Sequence, residues 1–309
     1  MPPQVDPPYR AILKALEDGR VVPFFGAGAS TGGRPDGVAW TASAQFLPRA
    51  AELSQHLADE VEFISQDPRD RADLLKVSAY YEQAVGREGL RHELRDVLAG
   101  KSHPSALHEF FASLPGPQLL VTTNYDTLLE QAFRAAGKPF DLLIYPSDTD
   151  ETGTTMLWWP SEATEPRNLA PDEIEVDLTK QTVIYKMHGT VDEPPASEWS
   201  NFVITEDDYV NFLSRMTRGT AVPKSFYRYF RGRSFLFLGY SLSDWNLRVV
   251  LRNLGREFEI HGAHGGVKHW AIQAQPSSVE EWLWSQRGVN VYDQTVETFV
   301  DRLKAARSA

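Results

Sequence analysis

Val21-Val22-Pro23-Phe24-Phe25-Gly26-Ala27-Gly28-Ala29-Ser30 is the stretch that decides the fold. Five apolar residues without alternation describe a strand buried on both faces, as in a parallel sheet covered by helices. The small residues that follow at once make a tight turn. Upstream, Ile12, Leu13 and Leu16 recur at helical spacing, with Gly19 placed to end that helix. Downstream, the pattern from Trp40 to about Ala112 is mostly helical, with apolar faces at Leu53, Leu57 and Val61 and at Leu90, Leu94 and Val97. A second buried strand is expected at Leu119 to Thr123, then a helix from Asp126 to Ala136, and a third strand at Phe140 to Tyr145. Further strands are read at Thr182 to Met187, Ser234 to Leu238, Val267 to Gln273 and Val289 to Tyr292. Helices lie between them, with Thr205 and Ser277 as N-caps. Strands alternating with helices predict an α/β fold with a doubly wound, mainly parallel sheet and a helical insertion, about residues 40–115, after the first strand.

Composition narrows the chemistry. The 309 residues hold no cysteine, which excludes disulfides, a thiol nucleophile and any zinc site that needs a Cys ligand. No window approaches about 18 uninterrupted apolar residues, and the start MPPQVDPPYR has no secretory pattern, so a cytoplasmic protein without a membrane segment is expected. The net charge of −11 is uneven: residues 148–177 hold nine acids and one base, Arg167. With Pro160, Pro166 and Pro171 and no sustained period, about 146–181 reads as an acidic excursion from the core. Arg215, Arg218, Lys224, Arg228, Arg231 and Arg233 follow in a stretch without an acid. The aromatics among them, Phe226, Tyr227, Tyr229 and Phe230, suit nucleic-acid stacking or an amphipathic helix with snorkelling cations. The overall charge speaks against nucleic acid.

In such sheets, ligands occupy the crevice at the carboxyl ends of the strands. Four strand ends there carry chemistry. After the first strand, Gly26, Ala27, Gly28 and Ser30 offer backbone that a pyrophosphate can approach, or a tight packed turn. Thr123-Asn124-Tyr125-Asp126 sets an amide and a carboxylate two residues apart, suited to sugar hydroxyls or a water, although Asp126 is equally an ordinary helix cap. His188-Gly189 places an imidazole, the side chain suited to proton transfer near neutrality, where a hydrogen-bonded structural histidine would also sit. Gly239-Tyr240-Ser241-Leu242-Ser243-Asp244 opens a helix, with an anion site or a capping box as alternatives.

Taken in order, GAGAS, TTNYD, KMHGT and GYSLSD resemble the motifs of the sirtuin-like fold, and in particular the sirtuin-like domains of bacterial antiviral defence proteins, which break down NAD. The resemblance implies one NAD-binding domain over residues 1–309. It gives Gly26, Ala27, Gly28 and Ser30 the pyrophosphate, and Asn124 the nicotinamide ribose and attacking water. Asp126 would stand near the nicotinamide carboxamide or the ribose, Thr123 would help bind the cofactor, His188 would serve as base or polariser on a ribose hydroxyl, and Gly239, Ser241 and Asp244 would hold the phosphate and ribose side. Asp36 has a nicotinamide-side role there, but Arg34-Pro35-Asp36 is followed by Gly37-Val38-Ala39-Trp40 rather than Phe-Arg. Protein-deacylating sirtuins carry four zinc-binding cysteines after the His-Gly motif; here there are none, so no zinc module and no metal are expected. A dehydrogenase is disfavoured, because no short helix leads from GAGAS to a strand ending in an acid. The implied function is an NAD glycohydrolase, a toxic defence effector held in check by oligomerisation or a partner protein. A non-catalytic sensor of NAD or ADP-ribose and an NAD-dependent deacylase stand as alternatives. The opposite-signed segments 148–177 and 215–233 suit self-association.

Overall fold

Both faces of β1 (Val21–Phe25) are buried, and this determines the architecture. Val22 and Phe24 enter one apolar cluster, Val21 and Phe25 another. The neighbouring strands β2 (Leu119–Thr122) and β7 (Ser234–Leu238) divide their side chains in the same way. Each strand therefore carries consecutive apolar residues without alternation, the signature of a sheet covered on both sides. In the computed structural model the described residues are 6–35, 37–99, 102–145, 155–191, 202–241 and 268–308.

The remaining strands are β3 (Asp141–Ile144), β4 (Met156–Trp159), β5 (Arg167–Leu169), β6 (Val183–Lys186), β8 (His269–Gln273) and β9 (Val289–Asp293). They form one sheet of order β5-β4-β3-β6-β2-β1-β7-β8-β9. From β3 to β9 all neighbours are parallel; β4 and β5 add an antiparallel pair at one edge. Pro23, which has no N–H to give, stands where the β1–β2 ladder has not yet begun: that pairing starts at Phe24↔Val121.

One face is covered by α1 (Tyr9–Glu17), α5 (Ala106–Ser113), α6 (Leu128–Ala135) and α10 (Val296–Ser308), through residues such as Ile12, Phe111, Phe133 and Phe299. The other is covered by α7 (Glu206–Arg218), α8 (Lys224–Phe230) and α9 (Ser278–Ser285), through Phe212, Phe226 and Trp284. Thr205 caps α7 with Asp208 in a reciprocal box, and Ser277 does the same with Glu280 for α9. The insertion after β1 comprises α2 (Ala50–Glu60), the single turn α3 (Pro68–Arg71) and α4 (Leu74–Leu98), which is interrupted at Gly86 (φ 83°, ψ 164°). It has its own apolar cluster around Leu57, Val77 and Leu94, which also takes in Val191, Phe202 and Ile204.

The acidic segment differs from the expected excursion: its described part carries β4 and β5, which extend the sheet. Trp158 donates from Nε1 to Asp141 Oδ2 at 2.9 Å, tying β4 to β3. The segment also meets the basic stretch within the same chain, with Lys224 Nζ 3.5 Å from Asp172 Oδ2. Phe226, Tyr229 and Phe230 are buried in the core, and the Arg233 guanidinium stacks on Tyr229 at 3.6 Å. These rings are thus not presented to bases, and the amphipathic-helix alternative describes α8.

Candidate functional site

The carboxyl ends of β6, β2, β1 and β7 lie side by side in the sheet, so the four sequence motifs share one edge. After β1 the chain steps to one side, and β7, β8 and β9 lie on the other. The crevice of a doubly wound sheet opens where the strand order reverses in this way.

Ser30 stands at the centre of the polar contacts there. It lies in the 3-10 turn Ala27–Thr31, and its Oγ donates to Asp126 Oδ2 at 2.6 Å. Asn124 Nδ2 donates to Ser30 Oγ at 2.7 Å and to Gly26 O at 2.9 Å. Asp126 uses its other oxygen, Oδ1, to accept from Leu128 N at the start of α6. It both caps α6 and belongs to the strand-end cluster. Thr123 Oγ1 donates to Tyr240 OH at 3.2 Å, which joins the β2 and β7 loops.

The β1 and β7 loops are packed tightly on each other. A Cβ on Gly26 would lie 2.8 Å from Tyr240 Cγ, and one on Gly28 would lie 2.9 Å from Gly239 Cα. Gly239 has φ +69°, and a Cβ there would fall 2.2 Å from Ala29 N. The N–H groups of Gly26, Gly28 and Ala29 donate to Leu238 O, Gly239 O and Gly26 O. The missing side chains of Gly26 and Gly28 thus face protein, while Ala27 is exposed and Ser241 lies exposed beside buried Tyr240.

His188 stands at the end of β6, 6% exposed, with its ring edge-on to Tyr209 and Phe212 at centroid distances of 5.3 and 5.1 Å. Its carbonyl accepts from Val203 N, while its buried Nε2 has no hydrogen-bond partner among the described residues. Burial pushes its pKa down to about 3, so the imidazole is neutral near pH 7. Among the described residues no hydrogen bond joins it to the Ser30–Asn124–Asp126 cluster; the link is through the β2–β6 ladder and Met187 N donating to Thr122 O. Asp36 and Asp244 lie outside the described residues. Arg34, two positions earlier in the sequence than Asp36, holds Glu52 in a two-pronged ion pair that keeps its carboxyl at about 2, and Trp40 N also donates to Glu52.

Three residues not singled out in the sequence bear on this site. Lys186, on β6, is 0% exposed and ion-paired with Glu130 of α6 at 2.8 Å. A lysine inside the apolar run Val183 to Met187 was the signal, since such a lysine is buried only with a partner. His108 of α5 is also buried, its Nδ1 accepting from Ser105 N. Burial lowers its pKa to about 4, opposed by the Asp126 carboxylate. Among the described residues no group of three or more His, Asp or Glu is placed to hold a metal ion, and no helix is long and apolar enough to cross a membrane.

The sheet and its strand-end cluster define a class, a doubly wound α/β protein with its polar cluster at the carboxyl ends of β6, β2, β1 and β7. The family follows from comparison with known proteins: the SIR2-like domain profile matches residues 118–292, more than half of the chain, and the chain belongs to that family. It is similar to "NAD(+) hydrolase ThsA" of Enterococcus faecium, 29% identical over 250 residues (78% of this chain, 41% of that one). "NAD(+) hydrolase ThsA" of Acinetobacter baumannii (strain 532279) is 28% identical over 251 residues (80% and 42%). "Defense-associated sirtuin 2" of Bacillus subtilis is 22% identical over 288 residues (92% and 24%). The chain thus spans about two fifths of the length of the ThsA relatives, and less of the sirtuin. Cytosolic 5'-nucleotidase IIIB bound to cytidine aligns over 96% of this chain and 90% of its own at 12% identity, with a TM-score of 0.30.

Proposed function

We propose that this chain hydrolyses NAD to nicotinamide and ADP-ribose. The observation that carries the reading is the hydrogen-bonded cluster of Ser30, Asn124 and Asp126 at the strand ends, with His188 at the end of the adjacent strand, its Nε2 without a hydrogen-bond partner among the described residues. The names of the relatives supply the substrate. In the reaction the bond between ribose C1′ and the pyridinium nitrogen breaks, and nicotinamide leaves with the electron pair. Positive charge develops on the ribose; water adds at C1′ and releases one proton. Preplaced dipoles suit such a step, because they need no reorganisation as the charge appears. Asn124, fixed by Gly26 and Ser30, would align the water and the ribose. Asp126 would hold negative charge near the developing cation. A neutral His188 has little affinity for a full proton, so it would polarise a ribose hydroxyl through Nε2 rather than accept its proton outright. Ala27, Thr123 and Ser241 would meet the nucleotide, and Gly26, Gly28 and Gly239 would act by bringing their loops together. Asp36 and Asp244 keep the cofactor roles that the family resemblance gives them.

The same reading makes the chain a defence effector that kills by depleting NAD, restrained by oligomerisation or a partner protein. The name of the Bacillus subtilis relative supports the defence role. Restraint is needed because an unregulated NADase would kill its host. The test follows nicotinamide release from NAD across protein concentration. Wild type should turn over without any peptide. Asn124→Ala and His188→Ala should each lose at least about a hundredfold in kcat while melting near wild type, the loss typical of removing a preorganised dipole. Binding without turnover would favour the sensor, and dependence on an acylated peptide the deacylase. Wild-type rates in both variants would refute the assigned roles.

A further inference from the structure

We propose that Lys186 is a positioning residue, its ammonium clamping the turn that presents Asn124 and Asp126; this rests on the NAD-hydrolysing reading above. Lys186 Nζ has three hydrogens and three acceptors. It donates to Tyr125 O at 3.2 Å, to Asp126 O, and to Glu130 Oε1 at 2.8 Å. Two of these acceptors are the backbone carbonyls that directly follow Asn124. Tyr125 O also accepts from Val191 N at 3.0 Å and Thr190 Oγ1 at 3.4 Å, which belong to the loop leaving β6 through His188. The ammonium thus sits where the Asn124 turn and the His188 loop are fastened together.

Stability alone does not account for this lysine. Both side chains of the pair are buried, at 0% and 2% exposure, and Glu130 Oε2 has no hydrogen-bond partner among the described residues. A buried ion pair of this kind is commonly replaced by well-packed apolar residues without loss of stability. What methionine cannot supply is a pair of charge-assisted hydrogen bonds to the carbonyls of Tyr125 and Asp126. Those bonds fix the peptide planes on either side of Asp126 and so the direction in which Asn124 leaves the chain. Glu130 completes the arrangement by holding the lysine from α6, the helix that Asp126 itself caps.

The test uses the full chain, with wild type and Asn124→Ala as references. The double variant Lys186→Met/Glu130→Met removes both charges and leaves similar volume. Its melting temperature should stay within a few degrees of wild type and its KM for NAD within about threefold. Its kcat should fall about a hundredfold, the loss that a displacement of about 1 Å produces. The side-chain amide signal of Asn124 in a two-dimensional NMR spectrum, assigned by its disappearance in Asn124→Ala, should move. A folded double variant with kcat within threefold of wild type overturns the proposal, as does an Asn124 signal that stays in place. If the double variant does not fold, Lys186→Arg decides. It keeps a cation beside Glu130 but exchanges a tetrahedral donor for a flat one. There, a tenfold or greater fall in kcat at unchanged melting temperature supports the clamp, and wild-type kcat refutes it. The NMR signal needs no turnover. A wild-type chain that releases no nicotinamide would refute the hydrolase reading, while the Asn124 signal would still decide the role of Lys186.

Discussion

Replacing Gly239 with alanine tests how the β1 and β7 loops are joined. An added Cβ would lie 2.2 Å from Ala29 N, 2.5 Å from Gly28 C and 2.8 Å from Gly28 Cα. All three are backbone atoms, so no rotamer change relieves the overlap. Two costs add. The left-handed backbone, at φ +69°, costs alanine about 1–2 kcal/mol. Pushing a packed loop aside by about 1 Å adds an overpacking cost of about 1–3 kcal/mol, giving a total of about 2–5 kcal/mol. Gly137 separates the two, because it has φ +64° and nothing within 4 Å of a built Cβ, so Gly137→Ala reports the backbone cost alone. Gly28→Ala, with its closest approaches at 2.9 Å to Gly239 Cα and O, should fall between Gly239→Ala and Gly137→Ala. Urea unfolding gives the three values, and nicotinamide release by the surviving folded protein shows whether Ser30 has moved with its loop. If Gly239→Ala costs no more than Gly137→Ala, the two loops are not in contact as described.

Two further outcomes follow from the same contacts. Ser30→Ala removes both the acceptor of Asn124 Nδ2 and the donor to Asp126 Oδ2, leaving the amide held by Gly26 O alone. Stability should fall by about 1–3 kcal/mol and kcat by about tenfold or more, and an unchanged kcat would show that Asn124 is set without Ser30. Burial lowers the pKa of His188 to about 3 and those of His108 and His269 to about 4. Because the unfolded chain protonates these rings near pH 6.5 and the folded chain does not, their stabilisation is complete above that pH. It is lost as pH falls toward 4 and then 3, with a combined slope of up to about 4 kcal/mol per pH unit. Urea midpoints measured from pH 7 to pH 4 should show this, and His108→Gln should flatten the slope by about a third. A slope unchanged by that substitution would place the proton uptake elsewhere.

The parallel core was legible because burial on both faces leaves its mark directly on the chain. Val21 to Phe25 and Phe235 to Leu238 are apolar runs without alternation, and the caps at Thr205 and Ser277 announce their helices through an acid three residues on. β4 and β5 were not legible, for two physical reasons. They are the outermost two strands at one side of the sheet, of four and three residues, too short to establish a period. What holds them is also remote in sequence, since Leu142↔Trp159 and the Trp158–Asp141 hydrogen bond form only once β3 is in place. Their acidic surroundings suggest a solvated loop, but charges on an edge are also how sheets avoid pairing with other chains.

At the site, sequence found the loops but could not divide the labour among their residues. Ligand approach and loop packing both ask for a missing Cβ, so GAGAS reads the same under either demand. The structure separates them: the absent side chains of Gly26 and Gly28 face Gly239 and Tyr240, and three amide donors of the turn are already used within the protein. The glycines of this turn thus serve loop packing, letting the β7 loop approach the turn that carries Ser30. Lys186 illustrates the converse. Its motif was visible, but its importance depends on two carbonyls about 60 residues away, and backbone acceptors leave no trace in a sequence. The residues that orient Asn124 are thus Gly26, Ser30 and, through the turn behind it, Lys186, and they come from two strands that flank its own. A site assembled in this way should fail through displacement of β1 or β6 as readily as through loss of Asn124 itself.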